Sequence, residues 1–195
     1  MHTLQQWMVA FGSTARLLAV GTALAWAVVS PGVSHAADAK EIDAGADLAL
    51  KEFTEKIAGS EEFLKIAKGI LVFPSVYKAG VILGGAEYGD GALRIGGKTV
   101  GYYNMTGVAF GPQLGAQKTS LIIMFMKDLV LEKFQKSTGF EFGVDANATL
   151  VTVGAQGSLD TTKLGEPILA FVFGQRGLMA SLTLEGSKFT KLDLK

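Results

Sequence analysis

The chain has 195 residues, 18 Lys and Arg against 18 Asp and Glu, and no cysteine. This even charge leaves no electrostatic footprint for nucleic acid, and without thiols there are no disulfides, no cysteine nucleophile and no acylated N-terminal cysteine. Both histidines, His2 and His35, precede residue 37, so a domain starting there has no Ser-His-Asp triad, no imidazole proton shuttle and no His or Cys ligands for zinc or haem.

The first segment in chain order reads as an export signal. Arg16 precedes the apolar run Leu17 to Val29, and Ser34-His35-Ala36 supplies small residues before a cut. Charge, short apolar run and small residues together form a secretory signal peptide, residues 1–36, cleaved after Ala36. An internal start at Met8 would give it a more typical length. The run is well short of the roughly 20 residues that span a bilayer as a helix, and a retained anchor is the weaker alternative. Export to the periplasm, the outer-membrane surface or the exterior is the expected localisation. The remaining residues, 37–195, are enough for a single domain. Loss of Arg16 leaves them 17 basic against 18 acidic residues, and Trp7 and Trp26 go with the signal.

Residues 38–68 form the helical part. Ile42, Ala46, Ala49, Phe53 and Ile57 recur at spacings of three and four, which predicts an amphipathic helix packed on a sheet. Gly59 breaks it, and Ser60 is expected to cap a second short helix whose buried side is Phe63, Ile66 and Ala67. From Gly69 to Lys195 the texture is β-rich. Short runs are expected at Ile70–Phe73, Gly80–Leu83, Ala92–Ile95, Lys98–Tyr103 and Leu114–Met126. Gly96-Gly97 is a two-residue hairpin signal, and Gly89-Asp90-Gly91 reads as another turn. Asp128 is expected to cap a short helix closed by Gly139. Strands follow at about 140–156, Ile168–Phe173, Leu178–Leu184 and Lys188–Leu194, with Gly174–Gly177 and Gly186-Ser187 as turns. Gly101, Gly107, Gly111 and Gly115 sit inside strand patterns, where glycine marks a bend or a close approach of backbone. The predicted fold is α+β: a mainly antiparallel, Gly-rich curved sheet or small barrel with flanking N-terminal helices and one short internal helix.

The chemical motifs are weak. Gly84-Gly85-Ala86-Glu87-Tyr88-Gly89 lacks the Lys-Ser/Thr ending of a P-loop and the dinucleotide spacing. The acid pairs Glu87 with Asp90 and Glu141 with Asp145 are formally a glycosidase's carboxylates, but strand and turn acids are normally solvated. Asp145-Ala146-Asn147 begins like a calcium loop, yet Leu150 replaces the required glycine. Asp160-Thr161-Thr162 reads as a capping turn. No catalytic residue, metal ligand or cofactor is expected, so the chain is read as non-enzymatic. A lipid site asks for less: apolar surface, here Leu121–Met126 and Ile168–Phe173, and cations to meet phosphate. Lys78, Lys118 and Arg176 are the headgroup candidates, each otherwise an ordinary surface charge.

Several segments together resemble the SYLF domain, also the actin-binding domain of yeast cortical-patch proteins. They are Ala67-Lys68-Gly69-Ile70 through Phe73-Pro74-Ser75, Lys78-Ala79-Gly80, Gly91-Ala92-Leu93, Gly115-Ala116-Gln117, Gly143-Val144-Asp145 and Phe171 through Met179. The resemblance runs from about residue 66 to 192. It implies phospholipid binding, and actin binding in fungal members. For an exported chain, anionic or zwitterionic envelope phospholipids are the expected partners, at a membrane surface, and actin is not. An envelope or host protein bound through the sheet edges or the N-terminal helix is the alternative.

Overall fold

The computed structural model describes residues 38–81, 84–110, 115–151, 161–177 and 184–194. The predicted strand Leu178–Leu184, the predicted bend at Gly111, Asp160 and the predicted signal segment fall wholly or almost wholly outside them. Two helices come first, as the periodicity predicts. Helix α1, Ala39–Lys56, buries Ile42, Ala46, Ala49 and Phe53, and α2 spans Ser60–Ile66. Ser60 is not the cap. Gly59 takes that position at φ +85°, a left-handed conformation that costs glycine little, and Ser60 is the first helical residue, buried.

Among the described residues, eight strands form one curled, half-barrel sheet in the order β5-β8-β3-β2-β1-β4-β7-β6. Strands β1 (Gly69–Val81), β2 (Gly84–Ile95), β3 (Lys98–Phe110) and β4 (Gly115–Phe125) make the centre. Beside them lie β5 (Phe140–Glu141), β6 (Thr149–Val151), β7 (Ile168–Gly177) and β8 (Ser187–Leu192). All neighbours run antiparallel except β6 with β7. The expected mainly antiparallel curved sheet with N-terminal helices is therefore present. Gly96 and Gly97 make the predicted two-residue hairpin, pairing Ile95 with Lys98 at φ +57° and +78°, the signs a type I′ turn requires.

Two expected turns are strand instead. Gly89-Asp90-Gly91 lies inside β2, where its glycines make room for the neighbouring strand. A Cβ on Gly91 would stand 2.5 Å from the Val72 carbonyl oxygen and 2.6 Å from the Phe73 ring. Gly174–Gly177 continues β7, with Gly174 at φ +65°. The strand expected over 140–156 is broken between β5 and β6. There the Asp145 carboxylate accepts the Glu141 N–H at 2.9 Å, and Lys133 donates to the Asp145 carbonyl. Helix α3, Asp128–Lys136, starts after Lys127 and ends at Ser137, without the Asp128 cap or Gly139 closure expected of it.

The strands alternate, so the sheet carries a core on each face. Against α1 and α2 pack Val72, Ala92, Ile122, Met124, Leu169 and Phe171. On the concave face, Leu71, Phe73, Leu93, Met105, Leu121, Ile123, Phe125 and Phe189 pack with Phe134 of α3. A polar latch orients α1 on the sheet. Asp43 accepts hydrogen bonds from the Thr99 hydroxyl (2.6 Å) and the Tyr102 phenol (2.8 Å), and Arg94 lies 2.7 Å from Asp47. The bond to Asp43, more than burial, raises the Tyr102 pKa above its ordinary value.

Candidate functional site

Helix α1 covers only part of its face. Gly45 meets Pro74, and Glu52 lies beside Gly174; past that line the outer surface of the strands is open among the described residues. Register fixes what this open surface carries. Lys188 of β8 pairs with Thr106, Thr106 with Tyr88, Tyr88 with Tyr77, Tyr77 with Lys118, and Lys118 with Arg176. Directly paired residues share a face, so these six side chains form one exposed row across six strands.

Two irregularities in the ladder set its composition. Between Val72 and Ser75, β1 holds one residue more than β2, and the same excess appears against β4 between Phe73 and Val76. Such a bulge reverses the alternation beyond it. Phe73 and Val76 therefore both face the concave core, while Tyr77 turns outward and is 53 % exposed. Pro74, which can neither donate to a ladder nor sit in a regular central strand, occupies this bulge. A second bulge in β7 falls between Phe173 and Arg176, opposite Ser120 and Lys118. It takes up Gly174 in its left-handed conformation and turns Arg176 to the open side.

Of the three headgroup candidates, the structure brings Lys118 and Arg176 together and places Lys78 elsewhere. Lys118 and Arg176 are cross-strand partners, both exposed, and neither is in an ion pair among the described residues. The Lys118 ammonium lies 5.4 Å from the centre of the Tyr77 ring, within cation–π range. Lys78 instead points into the concave side, where its ammonium is 2.9 Å from the Glu87 carboxylate and the two side chains are 3 % and 2 % exposed. A headgroup arriving at the outer surface does not reach it. The bulge at Pro74 is the reason: it exchanges the faces of Tyr77 and Lys78. Gln117, cross-strand from Lys78, is buried beside them, and its side-chain amide has no hydrogen-bond partner among the described residues.

Sequence reasoning missed Tyr77, Tyr88 and Lys188. Pro74 inside a β-prone run was the signal for the first. The nearest acids have partners of their own. Asp90, one row toward α1, accepts from the Tyr88 phenol at 2.9 Å and the Asn104 amide at 2.7 Å; Glu52 is paired with Lys56 at 2.7 Å. Glu141 lies opposite Lys188 at the far end of the row. The Lys118–Arg176 end is thus locally cationic on a chain of balanced charge. The other acids weighed for chemistry are apart: Glu87 faces the concave side, while Asp145 serves the β5–β6 turn.

No curated protein matches the chain significantly. A family model does match: residues 106–193 fit the Ysc84 family, described as Las17-binding protein actin regulator. The match takes in Thr106, Lys118, Arg176 and Lys188, and it overlaps the C-terminal motifs of the SYLF resemblance. From within β3 to just past β8, the chain is thus similar to the Ysc84, or SYLF, family, consistent with the resemblance carried by its sequence motifs.

Proposed function

We propose that the protein is a non-enzymatic phospholipid-binding protein of the bacterial cell envelope, exported by its N-terminal segment. The observation that carries this reading is the pairing of Lys118 with Arg176 on an open face beside Tyr77. Two cations held one strand spacing apart, without carboxylate partners among the described residues, suit a phosphate between them, and tyrosine suits the level of lipid headgroups. A binding role agrees with the family, whose description is itself that of a binding protein. Absence of His and Cys after residue 36 argues for binding without catalysis.

The test is co-sedimentation of the purified protein with phosphatidylethanolamine, phosphatidylglycerol and cardiolipin vesicles at low and high salt. Binding to the anionic vesicles that weakens with salt is the expected result. Absence from every vesicle pellet, with the fold verified by circular dichroism, would overturn the reading and favour a protein partner. N-terminal sequencing of the protein from the periplasmic fraction should begin at Ala37; an uncut N-terminus in the cytoplasmic fraction would refute export.

A further inference from the structure

The outer face has an order along the strands as well as across them. One step beyond the row of Tyr77 and Lys118, toward the strand ends, register aligns Val108, Ala86, Ala79 and Ala116. All four are exposed, Val108 by 62 %. One step the other way, toward α1, the row is Asn104, Asp90 and Ser75. Successive rows stand about 7 Å apart, two residues along a strand. From the strand ends inward the face therefore runs apolar, then tyrosine and cation, then polar and acidic. A bilayer interface has the same succession over the same distance: acyl chains, headgroups that favour Tyr, Lys and Arg, then water.

We infer that this end of the sheet docks on an anionic phospholipid bilayer with its strands steeply inclined to the surface. This deepens the proposed function and rests on it. Val108 and the three alanines enter the acyl boundary. Tyr77, Lys118 and Arg176 lie among the headgroups, and Asp90 stays about 7 Å further out, clear of the lipid phosphates. Charge complementarity selects the occupant, because from Thr106 to Arg176 the headgroup row holds two cations, Lys118 and Arg176, and no acid. The alanines are small enough for the sheet to lie close to the lipid, so insertion is shallow and reversible.

A chain without cysteine allows a direct test on the full-length protein. Single substitutions Val108→Cys, Thr106→Cys, Asn104→Cys and, on exposed α1, Leu48→Cys would each carry an environment-sensitive fluorophore. Vesicles of phosphatidylglycerol and phosphatidylethanolamine are then added. The expected blue shift falls in the order 108, 106, 104, with none at 48, and nitroxide-labelled acyl chains quench position 108 most. In parallel, Lys118→Gln with Arg176→Gln should weaken vesicle partitioning about 30-fold, at roughly fivefold per cation. If unmodified protein binds no vesicle, the phospholipid reading itself falls. If it binds while 108 stays unshifted, or 48 shifts instead, or the double variant binds as before, the docking face is wrong and the phospholipid reading stands.

Discussion

Replacing Lys78 by methionine removes one member of a pair whose side chains are 3 % and 2 % exposed and whose charged atoms are 2.9 Å apart. At that distance the attraction is roughly 6 kcal/mol for an effective dielectric of 20, and most of it is offset by the cost of taking both charges out of water. The single variant loses the attraction and keeps the cost. Lys78→Met should therefore destabilise the fold by about 3–5 kcal/mol, lowering the midpoint of thermal unfolding by about 6–20 °C for a domain of this size. Glu87→Leu should cost a similar amount. The double variant carries no buried charge and should lie within about 2 kcal/mol of the parent, or above it. Urea unfolding of the four proteins gives the coupling energy directly. Additive losses, or a Lys78→Met loss under about 1 kcal/mol, would show that Lys78 is not held by Glu87 in the interior and would return it to the list of surface cations.

Gln117 has a buried amide without a partner among the described residues, so Gln117→Met should stabilise by about 1–2 kcal/mol; a lower urea midpoint would mean that the amide is bonded in solution. Gly91→Ala should cost about 1–3 kcal/mol or more by overpacking, since the added carbon would lie 2.5 Å from backbone oxygen, whereas Gly101→Ala, with its nearest atom at 3.4 Å, should be milder; equal losses in thermal melts would refute the close approach. Tyr102 has a raised pKa because its phenol donates to Asp43. The stability it contributes is present below the ordinary tyrosine range and is lost as pH climbs through the raised value. Asp43→Asn should bring the Tyr102 titration, read by tyrosinate absorbance, back toward the ordinary range and remove part of the alkaline loss of stability; Tyr103, raised by burial, should be unaffected.

Much of the fold is legible where local chemistry decides it. The 3.6-residue spacing of Ile42, Ala46, Ala49 and Phe53 gave the first helix its extent and its buried side, and Gly96-Gly97 gave its hairpin, because a two-residue turn with two positive φ values is a local demand. Glycine misled where its role is non-local. Gly89 and Gly91 look like a turn from their own segment, yet they serve the bulge in β1, some fifteen residues earlier in the chain, by letting its backbone come close. Gly59 took the helix cap from Ser60 for the opposite reason: the chain needs a left-handed residue there, and a hydroxyl does not provide one.

The site is harder to read because it is a property of register. Its row joins residues from Tyr77 to Lys188, and no window of sequence contains both ends. Lys78 shows how one residue decides such a reading. Counted by strict alternation from Leu71 and Phe73, Tyr77 belongs in the concave core and Lys78 at the surface. One extra residue at Pro74 reverses both, placing an aromatic ring outside and an ammonium inside against Glu87. The second bulge, at Gly174, brings Arg176 to the same outer face. Straightening either bulge with all of its residues kept would return its strand to strict alternation. It would bury the arginine without a carboxylate, or move Tyr77 into the core and leave Glu87 without Lys78. The bulges that make the outer row are thus also what keeps the interior charges paired, so the open face and the stability of the sheet are set by the same two residues.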